Sequence, residues 1–145
     1  MKKIFLDTNF IGDLFVERYD IHNPQNARRF KEDAQHLLIE CKKRNFNLYI
    51  TFLTVANFNY LARKHTPENR KRFLKAIIGL FNVIDNTREQ VIKALKLDAP
   101  DFEDALQYIA ALESNCDVII TRDKKGFEFS KIPVLSPIEF LSLIS

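Results

Sequence analysis

Three carboxylic acids far apart in the chain have the residue type and placement to do chemistry together. Asp7 directly follows the apolar run 3–6, Asp123 stands two residues beyond Thr121 at the end of the apolar run 118–121, and Asp104 lies one turn into a helical pattern that starts near Asp101. Each has an ordinary structural use on its own. Asp7 or Thr8 can cap a helix, Asp123 can serve a turn, and Asp101 with Asp104 has capping-box spacing. Together they mean more, because ionised carboxylates in contact repel and raise one another's pKa unless a cation stands between them. Hard oxygen donors of this kind select Mg²⁺ or Mn²⁺.

Whether the three meet depends on the elements that carry them. The run 3–6 (KIFL) predicts a buried strand stopped by Asp-Thr-Asn as a helix N-cap, and the helix that follows is expected to reach about Glu17. Phe30, Ala34, Leu37, Leu38 and Cys41 recur at three- and four-residue spacing, which predicts an amphipathic helix over 25–43. Further strands are expected at 46–50, 81–84, 118–121 and Val134–Leu135, and helices at 54–64, 67–80, 87–97, 101–115 and from Pro137 onward. A polar turn spans 122–126. Strands alternating with helices make βαβ units, right-handed crossovers and a parallel sheet covered on both faces, so the fold class is α/β. In such a sheet functional side chains gather beyond the carboxyl ends of the strands. Asp7 and Asp123 both fall there, and a helix opening at the same edge carries Asp104 toward them.

Composition narrows the function. With 145 residues, 46% of them hydrophobic, and only three glycines and five prolines, residues 1–145 read as one domain with a real core. The longest apolar stretch, 76–81, falls far short of the roughly 20 residues of a membrane span. Lys2 and Lys3 open like a signal peptide, but the apolar run after them ends at Asp7, so a cytoplasmic protein is expected. Cys41 and Cys116 form neither a disulfide framework nor a zinc pair and read as reduced core residues. The net charge of +3 is unevenly spread: 61–75 holds six Lys or Arg against one Glu, whereas 76–145 holds seven basic against eleven acidic residues. A solvated helix face explains the basic run as well as an anion-binding surface does, but the separation suits a protein that attracts an anion and holds a cation.

Other phosphate and nucleophile chemistries fit less well. Gly12, Gly79 and Gly126 are isolated, so neither a P-loop nor a dinucleotide fingerprint is present. An aspartyl phosphatase would usually have an acid where Asn9 stands, and a receiver domain built on Asp85 would lack its acidic pair after the first strand. His22, His36 and His65 sit in or beside helical segments with no Ser or Cys in a nucleophile elbow. Most of the thirteen Phe and four Tyr fall at core spacing.

The segments Leu6-Asp7-Thr8-Asn9, Asp101-Phe102-Glu103-Asp104-Ala105-Leu106, Val118-Ile119-Ile120-Thr121-Arg122-Asp123 and Ile132-Pro133-Val134-Leu135-Ser136-Pro137 resemble those of a PIN domain. The resemblance spans essentially the whole chain and is most specific in its last third. It implies a three-layer α/β/α sandwich with a five-stranded parallel sheet of order 3-2-1-4-5, and an endoribonuclease that hydrolyses RNA phosphodiesters with Mg²⁺ or Mn²⁺. Small single-domain members are similar to VapC-like toxins of type II toxin-antitoxin pairs, which implies a small antitoxin partner and a homodimer.

By the same resemblance Asp7, Asp104 and Asp123 match the first, third and fourth metal-binding, catalytic acids. Asn57 stands where the second, normally a Glu, is expected; it can coordinate through its amide oxygen but brings neither charge nor base. Asn9 and Thr121 match positions that support the site. RNA would be drawn by Arg63, Lys64, Arg70, Lys71, Arg72, Arg122, Lys124 and Lys125. Asn57 leaves open a catalytically weakened PIN-like RNA-binding module, and a phosphatase or receiver-type domain remains a further alternative. With three carboxylates, one well-held ion is expected, and Asn57→Glu is expected to tighten metal binding.

Overall fold

The computed structural model describes residues 2–15 and 24–145. The expected end of the first helix near Glu17, and His22, lie outside the described residues. Five strands, β1 (Lys3–Leu6), β2 (Asn47–Thr51), β3 (Asn82–Ile84), β4 (Val118–Ile120) and β5 (Val134–Leu135), pair in parallel in the order β3-β2-β1-β4-β5. Among the described residues seven α-helices connect or follow them: α1 (Thr8–Phe15), α2 (Pro24–Lys43), α3 (Phe52–Leu61), α4 (Pro67–Leu80), α5 (Arg88–Lys96), α6 (Phe102–Glu113) and α7 (Pro137–Ile144). The expected five-stranded parallel α/β sandwich and its strand order are both present.

Alternation along the central strands explains the three layers. Ile4 and Leu6 of β1 and Val118 and Ile120 of β4 point into one core, with Phe10 of α1, Leu37 and Cys41 of α2, Phe58 of α3, Ile77 of α4 and Phe140 of α7. Phe5 and Ile119, one residue out of phase, point into the other, with Ala94 of α5 and the buried face of α6. Both faces of β1 and β4 are therefore dry, which fixes the register Phe5↔Ile119 and Leu6↔Ile120 at the centre of the sheet. Cys41 and Cys116 are free and buried, and burial pushes their thiols up to about 12 and about 11, as inert core residues require. No helix among the described residues is long and apolar enough to cross a membrane.

Two local details depart from the sequence expectation. Helix α3 begins at Phe52 rather than near residue 54, because Thr51 ends β2 and caps the helix, its hydroxyl accepting the Thr54 N–H at 3.2 Å. The expected polar turn after β4 contains a single 3-10 turn, Lys124–Phe127, with Phe127 buried beneath it. Helix ends that would usually call for glycine use asparagine instead. Asn45 after α2 and Asn115 after α6 both adopt φ 57°, a left-handed conformation that asparagine tolerates.

Candidate metal centre

β1 ends beside β4, so the residues that follow both strands emerge together at one edge. The Asp7 N–H donates to the Ile120 carbonyl at 3.1 Å. Asp7 is 3% exposed, and both carboxylate oxygens are held: Thr8 N–H donates to Oδ1 at 2.8 Å and the Thr121 hydroxyl donates to Oδ2 at 2.9 Å. The same Thr121 oxygen accepts the Asp123 N–H at 3.0 Å. Thr121 thus ties the first acid to the turn that carries the last one.

Asp104 arrives from α6. The Asp101 side chain caps that helix by accepting the Asp104 N–H at 3.0 Å, which leaves the Asp104 carboxylate free to face the cleft. Asp101 thus caps the helix while Asp104 lines the cleft. Gly126 explains how Asp104 and Asp123 come so close. A Cβ on Gly126 would lie 2.3 Å from Asp104 Oδ2 and 3.3 Å from Asp123 Oδ2, so both oxygens reach within 3.3 Å of one point that only a missing side chain leaves open. No described glycine has positive φ, so the requirement is for space and not for conformation.

The resulting cleft has a volume of about 410 Å³. Asp7, Asp104 and Asp123 line it together with Asn9, Asn57, Tyr60 and Gln107. Its floor is a buried ladder of hydroxyls, with Thr8 Oγ1 2.8 Å from Thr54 Oγ1 and accepting from Gln107 Nε2 at 3.4 Å. Gln107 Oε1 is buried without a hydrogen-bond partner. Oxygen-only donors, an orphaned acceptor and the cradle at Gly126 all fit a hard divalent cation. Among the described residues no three His, Cys, Asp or Glu side chains are grouped closely enough to hold a metal ion as they stand.

Electrostatics agree with geometry. Burial, opposed by the hydrogen bonds from Thr121 and Thr8, raises the Asp7 carboxyl above its usual range. Burial first, then the charges of Asp7, Asp101, Asp123 and Glu103, raise Asp104 to about 7. Without metal, folding therefore takes up a proton at Asp104 over the window between the usual carboxylate range and about 7. The resulting penalty is absent at acid pH, grows as pH rises and is complete above about 7. The metal-free protein is expected to lose thermal stability between pH 5 and pH 8, and Asp104→Asn to flatten that loss, raising Tm at pH 8 by about 3 °C per kcal/mol relieved. Thermal melts across that range in EDTA measure it, and Mn²⁺ should reverse the trend.

Other residues singled out from sequence are distributed unequally. Arg63 stacks on the Tyr60 ring at 4.3 Å, and Tyr60 lines the cleft, so this cation stands at the rim. Arg122, one of the cations expected to draw RNA, is engaged by a carboxylate in the structure. Its Nε and Nη2 donate to Asp13 Oδ2 and Oδ1 at 2.6 and 3.1 Å, and its guanidinium lies 3.9 Å over the Phe30 ring, because a planar cation beside a buried carboxylate is held there. Lys124 donates to the Glu139 carboxylate at 3.0 Å, an exposed pair that solvent weakens. Gln107, Glu103, Tyr60 and Gly126 were not singled out from sequence for the site. Glu103 and Gln107 carry faint signals, one adjacent to Asp104 and the other one turn after it.

Comparison with known proteins places this geometry. The chain is 28% identical over 144 residues, 96% of this chain and 93% of the relative, to "Ribonuclease VapC1" of Aquifex aeolicus (strain VF5). Its fold is similar to FitAcB from Neisseria gonorrhoeae (TM-score 0.65, 17% identity, 93% of this chain and 98% of that one). It is also similar to a toxin-antitoxin complex from Klebsiella pneumoniae (TM-score 0.63, 22% identity, 92% and 97%). The PIN domain family model matches residues 3–125, from the start of β1 through the acidic turn after β4. With the strand order, the acids at one sheet edge and that match in agreement, the chain belongs to the PIN domain family.

Proposed function

We propose that this protein is an endoribonuclease dependent on Mg²⁺ or Mn²⁺, acting as the toxin of a toxin-antitoxin pair. One observation carries the reading: Asp7, Asp104 and Asp123, from three remote parts of the chain, share one open cleft. Asp7, Asp104 and Asp123 would hold the ion, with Asn9, Asn57 and Thr121 supporting them. The bound ion would polarise a phosphoryl oxygen, orient the attacking water and lower its pKa. Thr8 and Thr121 fix both oxygens of Asp7, so that ligand needs little rearrangement. Arg63 and Lys64 attract the phosphate backbone at the rim, aided by Arg70, Lys71, Arg72, Lys124 and Lys125. Tyr60, 64% exposed, offers a ring face on which an unpaired base can stack.

A small antitoxin protein and a second copy of the chain are the proposed partners, in the cytoplasm. Exposed apolar side chains on the helices, among them Ile39, Phe52, Tyr60 and Ile78, give such partners surface to cover. The named relative is a ribonuclease, and a toxin-antitoxin complex is among the similar folds, which supports the assignment. Labelled single-stranded RNA incubated with Mn²⁺ or with EDTA tests the activity. Internal cleavage with Mn²⁺ and none with EDTA is the expected result. RNA binding without cleavage in either condition would replace this reading by the weakened binding module, and release of phosphate from small monoesters by the phosphatase reading.

A further inference from the structure

Asn57 is the one position where an acid expected from the resemblance is absent, and its structural partner supplies what it lacks. Asn57 Nδ2 donates across the cleft to Glu103 Oε2 at 3.3 Å, joining α3 to the first turn of α6. Both residues line the cleft with Asp7, Asp104 and Asp123. The neighbouring Asp101 is already engaged in capping α6, whereas the Glu103 carboxylate accepts the hydrogen bond that holds it toward α3. On the same wall Gln107, 2% exposed, carries a side-chain oxygen with no partner, an acceptor that an ion or its water shell would satisfy.

We infer that Glu103 supplies a fourth carboxylate to the metal centre and that Asn57 positions it, so that the charge missing from α3 is carried by α6. The inference rests on the metal-dependent reading above. Four acids then face the ion instead of three, each a hard donor or an acceptor for a metal-bound water. Asn57 orients this charge without adding its own. It also changes the expectation for Asn57→Glu, which in the otherwise unaltered chain would set two carboxylates where one hydrogen bond now stands.

Mn²⁺ titrated calorimetrically into the full chain tests the inference, with three proteins compared: the unaltered chain, Glu103→Gln, and Glu103→Gln combined with Asn57→Glu. Glu103→Gln is expected to weaken Mn²⁺ binding about tenfold or more. The double variant, which moves the charge back to α3, is expected to recover most of that loss, a rescue that a merely structural role would not produce. Circular dichroism spectra of the three should coincide. Unchanged Mn²⁺ affinity in Glu103→Gln overturns the inference alone, as does a double variant no tighter than the single one. An unaltered chain that binds no Mn²⁺ overturns the metal-dependent reading and this inference with it.

Discussion

Gly126→Ala is expected to lower Mn²⁺-dependent RNA cleavage about 100-fold while leaving the fold intact, since displacing a reacting group by about 1 Å can cost that much. The new methyl would lie 2.3 Å from Asp104 Oδ2. That atom is the far end of a rotatable side chain, so the clash is relieved by swinging the carboxylate aside and not by shifting backbone. Stability changes little for that reason. The ligand set changes greatly, because Asp104 and Asp123 can no longer approach the point both now reach. Asp104→Asn calibrates the result by removing the ligand's charge without adding bulk. Cleavage rates at saturating Mn²⁺, read beside melting curves of the metal-free variants, separate the two effects. An alanine variant that cleaves as fast as the unaltered chain would mean that Asp104 does not work from the position it occupies in the cleft.

The second large effect concerns stability. Asp13 is 4% exposed within α1, and Arg122 grips both of its oxygens. Removing Arg122 takes from a buried carboxylate a cation that grips both of its oxygens, a loss that reaches about 3–5 kcal/mol for fully buried pairs. Arg122→Ala is therefore expected to lower Tm by roughly 10 °C, at about 2–4 °C per kcal/mol for a chain of this size. Arg122→Lys should recover only part, because an ammonium cannot make the two-pronged contact or stack flat on Phe30. Arg122→Met with Asp13→Leu should recover more, since removing both charges also removes the cost of burying them. Calorimetric melts of the four proteins decide the matter. Equal Tm for Arg122→Ala and the unaltered chain would mean that the pair with Asp13 contributes little to stability.

These two sites show what could be read from the residues alone. Asp7 was legible because strand polarity puts a residue after KIFL at the carboxyl edge, and Asp104 because α6 opens at that edge beside a recognisable cap. The parallel sheet followed from alternating patterns, whereas its strand order came from the resemblance, since pattern does not say which strands are neighbours. The ion pair of Arg122 was not legible, because its partner is 109 residues away and a sequence displays a charge without displaying its counter-charge. Gly126 and Gln107 matter only relative to atoms of Asp104, Asp123 and Thr8, and no spacing rule expresses that. Asn57 looked like a deficit until the chain folded and put Glu103 against it.

The pairing of β1 with β4 also sets a clock. The Asp7 carboxylate is made well before its support, because the hydroxyl that orients it belongs to a residue 114 positions later. At about 5–20 residues per second, a ribosome needs several seconds to cover that interval. Throughout it the first strand lacks β4, and the cleft lacks two of its walls. An unfinished chain therefore lacks the assembled cleft, which is complete only after translation has passed the fourth strand.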